Sequence, residues 1–151
     1  MKKRGHSALA AFAIAASWAT PVLAQPARPN ILIVLFDDVG FTDFSSYGGA
    51  TRTPVIDGLA RNGVRLSRFH TSPFCGPSRA MLLTGMDNHQ VGMGTLVETA
   101  NDAMRALPGY SMRFAPDQKT IASILSQAGY QTYVTGKWGI GEVGANLPHR
   151  F

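Results

Sequence analysis

Asn30-Ile31-Leu32-Ile33-Val34-Leu35-Phe36-Asp37-Asp38-Val39-Gly40 is the stretch on which the reading of the fold turns. Residues 31–36 are apolar without a break. A strand with one wet face alternates polar and apolar side chains, whereas a strand covered on both faces does not. The run therefore predicts a strand inside a mostly parallel sheet covered by helices, in a layered α/β domain. Asp37 and Asp38 fall at its carboxyl end, which is where open α/β sheets bind ligands. Adjacent carboxylates repel each other unless a cation or basic groups neutralise them. A hard divalent cation such as calcium takes oxygen ligands, and carboxylates supply both oxygen and charge. On spacing alone, a solvated Asp-Asp-x-Gly turn competes with a metal site.

Downstream, Gly40, Gly48 and Gly49 mark a loop. Thr53 is placed to cap a helix with Pro54 at its first position and Ile56, Leu59 and Ala60 on one side, ending near Asn62-Gly63. Residues 64–69 alternate apolar and polar, as a half-buried strand does. Residues 87–112 are rich in Gly, Asn, Met and Pro and read as a long loop. A helix starts within residues 116–120, with Ile121, Ile124 and Leu125 as its apolar face and Gly129 as its stop. Residues 131–135 predict a further strand that ends at Gly136-Lys137.

Between the second and third of these predicted strands stands the one cysteine, in Thr71-Ser72-Pro73-Phe74-Cys75-Gly76-Pro77-Ser78-Arg79. Pro77 suits the first position of a helix that runs through residues 80–83 and stops near Gly85. Cys75 then sits just ahead of a helix N-terminus, where free N–H groups and the dipole favour anions. Arg79 is four residues on, about one turn away, so both can face one site. The helix end and the guanidinium would make the thiol more nucleophilic than an ordinary cysteine. The competing reading is an inert buried thiol. Lys137, behind a strand and a glycine, can point into the same cleft and neutralise developing negative charge; an exposed lysine is its plain alternative. His70 is expected to be structural and His89 to line a pocket, while His149 carries no assignment.

Composition bounds the class. Lys2, Lys3 and Arg4 precede an apolar run over residues 8–16, and Val22-Leu23-Ala24 ends on a small residue. This predicts a secretory signal peptide over residues 1–24, with the domain over 25–151. The run is shorter than the roughly 20 residues that span a membrane, and Pro21 breaks any extension of it. Removing those three cations from the 14 basic residues leaves 11 against 9 acidic, a net charge of +2. The basic balance thus belongs to the leader, and no basic patch interleaved with aromatics argues for nucleic acid. The expected address is the periplasm or the medium, with no membrane association after cleavage. A lone cysteine in an exported chain has no partner for an internal disulfide.

Cys75-Gly76-Pro77-Ser78-Arg79, with a short apolar helix and Thr84-Gly85 after it, resembles the signature of the type I sulfatases. Residues 28–40, Thr53-Pro54-Val55-Ile56-Asp57-Gly58-Leu59-Ala60, Phe69-His70-Thr71 and Gly129 to Trp138 resemble further blocks of that family in the same order. The resemblance implies the N-terminal part of an alkaline-phosphatase-like fold and a sulfuric ester hydrolase of the bacterial arylsulfatase type. It implies that Cys75 is converted to formylglycine by a formylglycine-generating enzyme. It implies that Asp37, Asp38 and the modified Cys75 hold calcium, with magnesium as the alternative, and that Arg79 and Lys137 serve the reacting group. The substrate would be a small-molecule sulfate ester. The rival readings are a phosphonate or phosphodiester hydrolase of the same superfamily, and an incomplete domain without activity. Two departures bear on this. Gly139 stands where many sulfatases carry a histidine that assists sulfate release. The family's later metal ligands, leaving-group histidine and second active-site lysine have no counterpart in these residues, so the chain is expected to be an N-terminal portion.

Overall fold

A computed structural model describes residues 28–141. The expected signal peptide at 1–24 and the segment with His149 lie outside the described residues. The chain divides into two compact units, Met1–Val34 and Leu35–Phe151. In the first unit, residues 28–34 carry no regular secondary structure, and Leu32 is 87% exposed.

Among the described residues, the second unit is built from four helices: α1 (Pro54–Asn62), α2 (Cys75–Thr84), α3 (Asp102–Arg105) and α4 (Ile121–Gln127), with single 3-10 turns at Phe41–Asp43, Ser45–Tyr47 and Val97–Thr99. α1 has Pro54 at its first position, as expected. Thr53 Oγ1, however, caps no backbone N–H of the helix; it donates to Asp57 Oδ1 at 3.2 Å, while Ser45 Oγ donates to Asp57 Oδ2 at 2.6 Å. The carboxylate in the first turn thus pins the Ser45–Tyr47 turn against α1. α4 begins with a capping box in which Thr120 Oγ1 accepts from Ser123 N–H and Ser123 Oγ accepts from Thr120 N–H. Its start is therefore later than residues 116–120 suggest.

α2 also differs from expectation at its start. It begins at Cys75, so Pro77 is its third residue and Cys75 lies inside the first turn. Proline is tolerated there because the first four N–H groups of a helix have no intrahelical acceptor. The stop is as expected: Gly85 adopts φ 68° and its N–H bonds to the Met81 carbonyl at 2.8 Å.

The core is small and lies mostly outside the helices. Ala80 of α2 packs with Val91, Met93, Phe114 and Ile140, and Met112 is also fully buried. The segment over residues 87–112 is thus a folded element rather than an open loop. Met112 N–H bonds to the Gly92 carbonyl at 2.9 Å, and Gly94 N–H to the Gly109 carbonyl at 2.8 Å. A Cβ at Gly94 would stand 2.6 Å from the Tyr110 ring, so only glycine lets the two limbs of the segment close on each other. Asn88 fastens the same turn, donating its side-chain amide to the Met93 carbonyl at 3.0 Å.

The parallel sheet is not formed among the described residues. Residues 31–36, 64–69 and 131–135 carry no strand. A strand is a property of a pair, since its N–H and C=O groups need a neighbour's ladder. These runs lack such a neighbour among the described residues, and their apolar side chains are uncovered, with Val64 at 87% and Tyr133 at 90% exposure.

Met93, fully buried in the 87–112 segment, packs in one cluster with Ala80 of α2, so Met93→Ala should cost about 2–5 kcal/mol in urea unfolding. Thr120→Ala, which removes the α4 cap, should cost about 1 kcal/mol by the same measurement.

Candidate active site

Four side chains from three separated parts of the second unit meet at the N-terminal turn of α2. Cys75 is placed by the helix start. Arg79 comes one turn later, its side chain 11% exposed. Asp37 comes from the end of the first apolar run. Lys137 comes from the turn Gly136-Lys137-Trp138-Gly139, which Ile140, 2% exposed, anchors in the core.

The Lys137 ammonium donates to Asp37 Oδ2 at 2.7 Å and to Cys75 Sγ at 3.4 Å. Arg79 Nη2 lies 3.4 Å from Asp37 Oδ1, and Arg79 Nη1 donates to the Lys137 carbonyl at 2.7 Å. Asp37 is therefore held between two cations. The hydrogen bond from Lys137, aided by both positive charges against some desolvation, keeps its carboxyl below the ordinary aspartate range. The same bond to Asp37, with a second to Cys75, raises the Lys137 ammonium above the ordinary lysine value. Both groups face solvent in part, so the pairs contribute little to stability. They set position and charge instead.

Asp38 comes next in a left-handed backbone conformation, φ 54°, and its side chain makes no hydrogen bond or ion pair among the described residues. The structure thus brings Cys75, Arg79, Lys137 and Asp37 together and leaves Asp38 next to them in the chain, outside the cluster. No group of three or more His, Cys, Asp and Glu residues with metal-binding geometry occurs among the described residues. His89 bonds through Nε2 to the Tyr110 hydroxyl at 3.2 Å and pairs with Asp87 at 3.4 Å, so it braces the 87–112 segment. His70 is exposed.

Two glycines that the sequence does not single out as site residues shape the cluster. A Cβ at Gly76 would lie 2.9 Å from the Gly139 carbonyl oxygen, and one at Gly139 would lie 3.3 Å from Arg79 Cδ. Gly139 adopts φ 66°. The available signal is local: a glycine wedged between Cys75 and Pro77 in a helix start offers no side chain, so a close backbone approach is its natural use.

The chain matches the Sulfatase family over residues 29–146. It belongs to that family. It is 39% identical to the arylsulfatase of Klebsiella aerogenes over 125 residues, which cover 83% of this chain and 26% of that protein. Identity to an uncharacterized sulfatase of Schizosaccharomyces pombe is 40% over 121 residues, covering 78% of this chain and 22% of the relative. Identity to human steryl-sulfatase is 40% over 116 residues, covering 76% and 19% respectively. The chain therefore spans about a fifth to a quarter of the length of these curated relatives. Membership carries the family's α/β architecture, although the sheet itself is not formed among the described residues.

Because the hydrogen bond to Asp37 raises the Lys137 ammonium, Asp37→Asn should bring the lysine's pKa down and leave more neutral amine at alkaline pH. Acetic anhydride labelling read by mass spectrometry should then modify Lys137 faster in the variant than in the parent chain.

Proposed function

We propose that this chain supplies the nucleophile-bearing part of an exported sulfuric ester hydrolase of the arylsulfatase type. The observation that supports it most is the position of Cys75: first residue of α2, 3.4 Å from the Lys137 ammonium, with Arg79 and Asp37 closing the circuit. That is a reacting group in contact with one fixed cation, Lys137, which Asp37 joins to a second, Arg79, an arrangement suited to stabilising charge that develops on a sulfuryl group. The cationic contact also suits an oxygen-rich reacting group better than sulfur. In the mature protein formylglycine would stand where the Cys75 thiol is, and its hydrate would supply one hydroxyl to attack sulfur with loss of the alcohol and a second whose collapse releases sulfate.

The chain's own residues have distinct parts in this reading. Lys137 binds a non-bridging sulfate oxygen as charge grows on it. Arg79 braces the site, with Nη1 on the Lys137 carbonyl and Nη2 by Asp37, and so fixes the lysine beside the reacting group. Asp37 keeps both cations aimed at one point. Asp37 and Asp38 fit calcium or magnesium as hard carboxylate donors, and the shell of about 6 to 8 oxygens that calcium prefers would be completed by water and further ligands. The site would lie at the carboxyl ends of a mostly parallel sheet in the complete domain. The leader pattern at residues 1–24 supports export to the periplasm or medium, and a formylglycine-generating enzyme is the implied maturation partner. No helix among the described residues is long and apolar enough to cross a membrane.

The test uses the protein co-expressed with the converting enzyme. The peptide containing Cys75 should carry the mass of the aldehyde in place of the thiol. An aryl sulfate should be hydrolysed faster than an aryl phosphonate, and a much faster phosphonate reaction would overturn the sulfatase reading. Cys75→Ala should reduce turnover by at least about a thousandfold, and Lys137→Ala by about a hundred- to a thousandfold. Chelation by EDTA should abolish the reaction and calcium should restore it.

A further inference from the structure

Gly139 and Gly76 form a backbone contact that the chemistry above does not use. The helix start that carries Cys75 and the turn that carries Lys137 touch here without any intervening side chain. A Cβ at Gly76 would stand 2.9 Å from the Gly139 oxygen, and that oxygen belongs to backbone, which cannot swing aside as a side chain can. On its other side, a Cβ at Gly139 would stand 3.3 Å from Arg79 Cδ, 3.6 Å from Arg79 Nε and 3.7 Å from Lys137 Cε. The residue thus borders both cations of the site. Its φ of 66° is one that side-chain-bearing residues adopt reluctantly. The next residue, Ile140, is buried in the core, so the turn cannot slide along the helix to relieve a clash. The Arg79 bond to the Lys137 carbonyl fastens the same turn from the guanidinium side.

We propose that Gly139 is a positioning residue: seated on Gly76, its left-handed turn sets the separation between the group at position 75 and the Lys137 ammonium. The seat acts through backbone packing and touches neither substrate nor reacting atoms. The catalytic meaning of that separation rests on the sulfatase reading, while the separation itself does not. A histidine at 139 would have to place its Cβ against Arg79 and Lys137. In this chain the position is accordingly a spacer between the two cations.

The separation can be read without turnover. In the protein expressed without the converting enzyme, succinimidyl iodoacetate can bridge the Cys75 thiol and the Lys137 amine, and the bridged peptide pair is counted by mass spectrometry. Gly76→Ala and Gly139→Ala should each slow bridging at least about fivefold, because a Cβ at the first and a strained turn at the second displace the lysine. Circular dichroism at the assay temperature establishes that each variant is folded. Should either alanine variant fail to fold, Gly139→Asn, whose side chain tolerates the left-handed region better, supplies the comparison: it should fold and bridge more slowly than the parent but faster than Gly139→Val. Folded Gly76→Ala or Gly139→Ala protein that bridges at the parent rate overturns the proposal, as does equal bridging by the asparagine and valine variants. In converted protein the alanine variants should lose kcat for an aryl sulfate with little change in KM. Slowed bridging together with no sulfate-ester turnover by the converted parent would leave the positioning role standing and remove the sulfatase reading.

Discussion

The ammonium of Lys137, lodged between the Asp37 carboxylate and the Cys75 sulfur, is the interaction that the rest of the site depends on. It joins residues 100 and 62 positions apart in the chain. Closing loops of that length costs entropy before any contact is made, and one partly exposed ion pair cannot offset it. The closure must come from packing. Ile140 in the core and Met93 beneath the first turn of α2 bring the two segments together, and the charges then select their relative aim. The polar contacts are thus an output of the apolar ones and contribute little of the stability.

Much of the frame is readable from local signals. Pro54 opens α1 and Gly85 closes α2 with a left-handed residue, while the box of Thr120 with Ser123 starts α4 at Ile121, just past the 116–120 window that the sequence suggests. Such signals act over three or four positions, which is the range a sequence displays directly. The cluster of Cys75, Arg79, Lys137 and Asp37 is legible from residue chemistry and from family resemblance. Its geometry is not, because it depends on the close approach of Gly76 and Gly139, which leaves no side chain to notice.

The segment over 87–112 departs from its composition for a related reason. Glycine, asparagine and proline are loop residues by habit, yet here Gly92, Gly94 and Gly109 permit two limbs to bond across each other and bury methionines between them. Whether such a composition means open loop or tight packing depends on what lies opposite, and that is a long-range fact. The strand expectations meet the same limit from the other direction. Apolar continuity over residues 31–36 tells what the segment would prefer beside it, and nothing about which segment will be there.

Those uncovered apolar runs also govern how the chain behaves in company. Residues 31–36 have no charge, no proline and no glycine, and are largely β-branched or aromatic. Left with free N–H and C=O groups, such a segment is a template on which another molecule's equivalent segment can add. The property that suits it to the middle of a sheet makes it adhesive when that sheet is unmade. The apolar continuity that suits these six residues to the interior of a sheet is the same feature that leaves them open to self-association where no strand covers them.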